Sequence, residues 1–363
     1  MHSISELVDN QSDNTVISTG TALYMERKIL VTGGCGFIGS HLCVTLLQEG
    51  YHPVILDNLS NSSAQVVERI EELGNGKVTF IEGDILKTKD LDRAFSQNRF
   101  LATIHLAGLK SVSESTEDPI RYYQNNVIGT LNLCSAMRDS ETYNLIYSSS
   151  ATVYDNNHES PLTEESPTAP SSPYGHSKLM SETVLESLAK SDNRWSIAIL
   201  RYFNPVGAHP SGKIGESPTS TPNNLMPYIT QVAIGKRPFI RVFGNDYPTS
   251  DGTGIRDYIH IMDLSQAHLC ALNWSLRTSG IGKFNIGTGA GHSVKEVIKA
   301  FEDACGFKLP HKILPRRPGD VASCYANTSH AQKQLAWKPT KTLIDMCKDA
   351  WNWQHLNPNG YLD

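Results

Sequence analysis

The sequence predicts an α/β protein: a doubly wound parallel sheet with a smaller mixed C-terminal lobe. Three observations carry that expectation. A strand, a glycine-rich turn, a helix and a second strand follow one another between Arg27 and Asp57. Strands and helices then alternate as far as Arg201, and parallel strands need crossover helices of this kind. After Asn204-Pro205 the chain turns rich in Pro, Gly, Ser and Asn, the texture of binding loops set on a rigid scaffold.

Each element reads as follows. Lys28–Thr32 is a short apolar strand, Ser40–Glu49 a helix and Val54–Asp57 the next strand. Val66–Leu73 is helical, 78–81 extended, Leu91–Phe95 helical and 103–106 extended. Further strands are expected at Asn144–Tyr147 and Ile197–Arg201, and a helix over 174–188 would set Tyr174 and Lys178 on one face. Between 205 and 256 only a short helix near 225–234 stands out. The rhythm returns with a helix over 268–274 and a strand over 283–286, and 294–353 reads as mostly helical, broken near 309–320. At 363 residues the length suggests roughly two domains, and they are expected to interleave. A tail covers 1–26; residues 27–204 plus about 257–288 form a dinucleotide-binding domain; 205–256 plus about 289–363 form a substrate-binding lobe.

Composition excludes several roles. With 39% hydrophobic residues the chain can bury a core. Lysine plus arginine number 32 against 37 acids, a net charge of −5, which gives nucleic acid no positive field to bind. No apolar run is long enough to span a membrane, and Glu6, Asp9 and Asp13 make the first residues unlike a signal peptide. Seven scattered cysteines without a C-x-x-C pair suit free thiols in the cytoplasm, not disulfides or a metal site.

Gly33, Gly36 and Gly39 form G-x-x-G-x-x-G between a strand and a helix. Glycines there let a pyrophosphate approach the backbone, and the helix N-terminus offers free N–H donors, the Rossmann-like arrangement. Asp57 ends the next strand, where a carboxylate accepts ribose hydroxyls and repels a 2′-phosphate, favouring NAD over NADP. Tyr174 and Lys178 lie four apart, on one helix face. A nearby ammonium stabilises a phenolate, so the pair can act as a base. Tyr24 and Lys28 match the same spacing, but they straddle the tail and the first strand. The run Ser148-Ser149-Ser150 follows a strand, at the sheet edge where such folds bind ligands, and Ser150 can reach both substrate and Tyr174.

These residues resemble the extended short-chain dehydrogenase/reductases, and within them the UDP-glucose 4-epimerases. The resemblance rests on 105–110, Asn125-Asn126, 148–154, 201–208, 222–228, 243–247, 254–260 and 316–320, and it extends over about 27–363. It implies that Gly33, Gly36, Phe37, Ile38, Gly39, Asp57, Asn58, Asp84, Ile85, Lys110, Asn125 and Phe203 contact NAD, together with Tyr174 and Lys178. It implies Tyr174 as base, Lys178 as its cation, and Ser150 and Thr152 at the sugar. Asn204, Asn224, Leu225, Phe243, Arg256, Arg317 and Asp320 would hold the UDP of a UDP-hexose, and a homodimer is implied too.

Relatives that dehydrate or decarboxylate nucleotide sugars place an acid just before the Val-Tyr, where this chain has Ala151 and Thr152. A non-catalytic dinucleotide-binding regulator would commonly lack the Tyr–Lys pair. Asp155 departs from the glycine usual at its position. Cys324 stands where a tyrosine closes the sugar pocket to a 2-acetamido group, so N-acetylhexosamine substrates are expected as well.

Overall fold

The computed structural model describes residues 27–218, 221–317 and 319–362; the predicted tail, including Tyr24, lies outside the described residues. The first half alternates as expected: β1 (Lys28–Thr32), α1 (Phe37–Gln48), β2 (His52–Asp57), α2 (Val66–Gly74), β3 (Thr79–Glu82), α3 (Thr88–Ser96) and β4 (Ala102–His105). The helices α4 (Val112–Glu117), α5 (Pro119–Tyr123) and α6 (Gly129–Asp139) follow, the last entered through a π-helical turn at Gln124–Ile128. Next come β5 (Asn144–Ser150), α7 (Pro173–Ser191) and β6 (Ser196–Tyr202). The remainder is β7 (Asn204–Val206), α8 (Leu225–Ala233), β8 (Ile240–Phe243), β9 (Ile255–His260), α9 (Ile261–Ser275) and β10 (Gly280–Ile286). It ends with β11 (Gly291–Ser293), α10 (Val294–Cys305), β12 (His311–Leu314), β13 (Ser323–Cys324), α11 (Ser329–Leu335) and α12 (Leu343–Leu356).

Seven parallel strands make the main sheet, in the order β10-β6-β5-β4-β1-β2-β3. The expected doubly wound, Rossmann-like sheet is therefore present. Its central strands are apolar on both faces, as a sheet covered by helices on each side requires; Ile29, Leu30 and Val31 are fully buried. The order reverses between β1 and β4, and in open α/β sheets that switch point is where ligands bind.

The smaller C-terminal part is mixed, as predicted, but more strand-rich than its sequence suggested. Strand β9 pairs parallel with β7 and β13 and antiparallel with β11, while β8 pairs with β12. These strands are two to six residues long, and His311, Lys312 and Ile313 are exposed, so no alternation of apolar and polar residues marks them. Region 106–143 yields three helices that the sequence left unassigned. Asp118-Pro119 interrupts α4 and α5, and the Gly, Thr, Asn and Ser of α6 blur its apolar stripe.

One charged pair lies inside the main unit. Arg201 on β6 and Glu182 on α7 are 1% and 0% exposed and form a two-pronged ion pair, Nε–Oε1 3.0 Å and Nη2–Oε2 2.6 Å. Removing one member of such a pair strands a buried charge and costs about 3–5 kcal/mol.

Candidate active site

The phosphate loop is built by backbone crowding. Gly33 adopts φ 72°, bonds its N–H to Leu56 O at 2.8 Å and turns the chain out of β1. A Cβ on Gly39 would lie 2.3 Å from Gly33 O and 2.6 Å from the Gly34 Cα, so only glycine lets α1 sit on the loop. Gly36 caps α1, and its Cβ would meet only Gly33 O at 3.3 Å. The space over Gly36 is open, at a helix N-terminus with its unpaired donors. That cradle fits a dinucleotide pyrophosphate.

Asp57 closes the loop. Its Oδ2 accepts the Cys35 N–H and its Oδ1 accepts the Leu59 N–H and the Ser62 hydroxyl, all at 2.9 Å. Nearby, Asn58 donates to Asp84 at 3.2 Å, and Ile85 is buried against α6, where a Cβ on Gly129 would strike its Cδ1 at 2.5 Å. Phe37 and Ile38 pack on the core, and Asn125 donates to Asn126 at 3.0 Å.

Tyr174 sits in the first turn of α7, started by the Ser172 hydroxyl accepting from Gly175 N and by Pro173. Gly175 permits a close approach, since a Cβ there would fall 2.6 Å from Thr152 O. The approach brings Tyr174 to the end of β5. Ser150 Oγ accepts from both Thr152 N (3.2 Å) and Thr152 Oγ1 (3.0 Å), which leaves its own proton for Tyr174. Burial pushes the Tyr174 phenol up, while the Ser150 hydrogen bond and the Lys110 charge pull it down. Lys110 also pairs with Glu216 at 2.9 Å. Lys178, 5% exposed, donates to Ser148 O at 2.7 Å above the Tyr147 ring. Burial draws its ammonium down to about 8 against the opposing pull of Glu182. Thus Lys110 is the cation whose charge bears on the Tyr174 phenol, while Lys178, expected in that role, rests its Nζ on the Ser148 carbonyl.

The predicted UDP group gathers around β8, β9 and the loop before β13. Asp320 accepts from Arg317 Nε at 2.8 Å and faces Arg256 Nη2 at 3.5 Å, and Arg317 stacks on the Phe243 ring at 4.9 Å. Cys324 stands opposite Arg256 in the β13–β9 ladder. Asn204 donates to Asp257 O at 3.0 Å, and Asn224 and Leu225 open α8. Cys324 and Phe203 share one apolar cluster with Ala151, Val153 and Leu179, which ties this group to the tyrosine site.

Sequence reasoning missed Glu182, Arg201 as its partner, and Glu216. Glu182 was findable, since it continues the i, i+4 series of Tyr174 and Lys178 on one helix face. Glu216 gave no local signal, because its partner lies 106 residues away.

Known proteins resemble the chain over nearly its whole length. A family model described as GDP-mannose 4,6 dehydratase matches residues 30–350. UDP-glucose 4-epimerase of Bacillus subtilis (strain 168) is 52% identical over 333 residues, covering 92% of this chain and 98% of that protein. The Dictyostelium discoideum UDP-glucose 4-epimerase is 50% identical over 341 residues, covering 93% and 99%. A crystal structure of the Bifidobacterium longum UDP-glucose 4-epimerase in complex with NAD+ and UDP superposes with TM-score 0.89 at 47% identity, covering 92% of this chain and 99% of that one. The family model's description names a dehydratase, yet Ala151 and Thr152 provide no acid for elimination, and the near-full-length relatives carry the other name. With half of its residues shared along almost its whole length, the chain belongs to the UDP-glucose 4-epimerase family.

Proposed function

We propose that the chain interconverts UDP-galactose and UDP-glucose with NAD as a resident cofactor. The observation that carries this is the meeting of Tyr174, Ser150 and Lys178 at the end of β5, beside a glycine cradle. NAD+, when bound, takes a hydride from C4 of the hexose and returns it to the opposite face. Tyr174 phenolate removes the proton of the sugar 4-hydroxyl and later gives it back. Ser150 and Thr152 would orient that hydroxyl; Lys110 lends positive charge to the phenolate, and Lys178, one turn along the same helix face, would add to it. Gly33, Gly36, Phe37, Ile38, Gly39, Asp57, Asn58, Asp84, Ile85, Lys110, Asn125 and Phe203 would hold the dinucleotide, together with Tyr174 and Lys178. Asn204, Asn224, Leu225, Phe243, Arg256, Arg317 and Asp320 would grip the UDP, because a guanidinium fork matches a diphosphate. Binding energy then sits on the nucleotide, and the hexose is free to turn over.

In this reading residues 27–204 plus about 257–288 bind the dinucleotide, and 205–256 plus about 289–363 bind the UDP-sugar, with β9 crossing the boundary. A coupled assay of purified protein with UDP-galactose and no added NAD should form UDP-glucose. Binding without turnover would instead indicate a regulator, and a keto-deoxy product a dehydratase.

The reading extends to UDP-N-acetylhexosamines, because Cys324, which packs in one cluster with Ala151 and Leu162, has a far smaller side chain than the tyrosine of relatives that exclude a 2-acetamido group. Cys324→Tyr should remove turnover of UDP-N-acetylgalactosamine by at least about tenfold while sparing UDP-galactose, a difference well within what a steric block supplies. Equal loss of both activities in a kinetic comparison would remove this extension.

A homodimer is supported by exposed apolar residues along α5 to α7, with Ile120 at 69%, Met180 at 50% and Ile128 at 46%. Analytical ultracentrifugation showing a monomer at micromolar concentration would overturn it. The seven cysteines are all free thiols, which suits a cytoplasmic location that cell fractionation can check. No helix among the described residues is long and apolar enough to cross a membrane.

A further inference from the structure

Behind Lys178 lies a buried polar assembly that the proposed chemistry does not use. Glu182 follows Lys178 by one turn of α7, so the two side chains lie on one helix face. Its carboxylate takes both prongs of Arg201 and the hydroxyl of Ser149. Ser149 sits between Ser148, whose carbonyl receives Lys178 Nζ at 2.7 Å, and Ser150, which serves Tyr174. Arg201 reaches on to Tyr154 OH at 3.0 Å and Glu164 O at 3.1 Å, and Tyr154 donates to Asn285 at 2.6 Å. One carboxylate therefore binds the helix bearing Tyr174 and Lys178, the serine strand and the loop after Thr152 into a single unit.

The charge balance is as notable as the geometry. Groups facing Lys178 from other elements are the Ser148 carbonyl and Tyr147 ring on β5, His105 on β4, and the Asn126 side chain carbonyl beside Gly108. His105 is buried and held neutral, its ring nitrogens meeting Thr32 and Thr130. On α7 itself Tyr174 and Glu182 flank the lysine, and Lys110 lies beyond Tyr174. Among these groups Glu182 is the carboxylate, paired by the Arg201 guanidinium behind it and set against a burial that disfavours the ammonium.

Resting on the function proposed above, we propose that Glu182, clamped by Arg201 and Ser149, is a positioning residue that keeps the Lys178 ammonium charged and seated at the end of β5 beside Tyr174. Arg201 orients the carboxylate and stops it from turning toward Lys178 as a closed ion pair. Lys178 thus keeps its charge while its Nζ stays on the Ser148 carbonyl, available to the site.

Glu182→Gln tests this, since it keeps the shape and the Ser149 contact but removes the charge and leaves Arg201 as an extra nearby cation. With the carboxylate gone, Lys178 gives up its proton at lower pH. The alkaline limb of the kcat profile should therefore move down by about one pH unit, with KM near neutrality little changed. The 13Cε resonance of Lys178 in isotopically labelled protein, assigned by loss in Lys178→Met, should show the same shift without any turnover. Glu182→Asp, which keeps the charge, should restore most of both. Should Glu182→Gln fold poorly, the double variant E182M/R201M replaces the pair with apolar side chains and is expected to fold, with the limb lowered by less than in E182Q because the Arg201 cation leaves with the carboxylate. An unmoved limb and an unmoved lysine titration, with activity falling only as far as thermal stability does, would overturn the proposal. Failure of the wild-type protein to turn over UDP-galactose would instead overturn the function on which it rests, and the resonance would still report on Glu182.

Discussion

Tyr174→Phe should lower kcat for UDP-galactose by about 10²–10⁴, the range that a positioned acid–base group supplies. KM should change little, because in the proposed reading the UDP is held by Arg256, Arg317 and Phe243 and not by the phenol. The fold should survive as well. The ring of Tyr174 packs edge-on against Tyr122, and phenylalanine retains that contact. What is lost is an oxygen that Ser150 and Lys110 draw toward its charged form against the pull of burial. Steady-state kinetics beside a thermal melt would check it, and a tenfold or smaller loss of kcat would point to another base.

A pair of glycine variants separates folding from cofactor retention. Gly39→Ala places a methyl 2.3 Å from a backbone oxygen and 2.6 Å from a backbone carbon, and neither can yield without moving α1 off the loop. The protein is expected to lose several degrees of Tm or to fail to accumulate, in line with the cost of an overpacked site, about 1–3 kcal/mol or more. Gly36→Ala meets only one oxygen at 3.3 Å, so the cofactor-free protein should melt close to the wild type. Its methyl instead occupies the space over the helix N-terminus, and bound NAD measured after gel filtration should fall by at least about tenfold. If Gly36→Ala retained its NAD in full, the cradle would lie elsewhere.

Sequence carried most of the main sheet because its central strands are short, buried apolar runs, as in Lys28–Thr32 or Ser196–Tyr202. It also exposed the tyrosine site, whose members lie on one helix and one strand end. It failed where pairing is distant or short. The ladder of β8 with β12 joins residues about 70 positions apart, and nothing in Ile240–Phe243 announces its partner. The Lys110–Glu216 contact was hidden in the same way. Glu182 was legible by spacing but not by chemistry, since only the fold shows that Arg201 arrives from β6 to meet it.

Strand β9 finally constrains how the molecule can work. Its first half pairs with β11 and β13, its second half with β7, and Phe203 alone separates β7 from β6 of the main sheet. The last residue of that second half, His260, also caps α9, and α9 leads back to β10 in that sheet. The small unit is thus sewn to the large one along the second half of a single strand, which leaves little slack for a swinging jaw at that seam. Neither unit can therefore be exchanged as a cassette without cutting a shared seam.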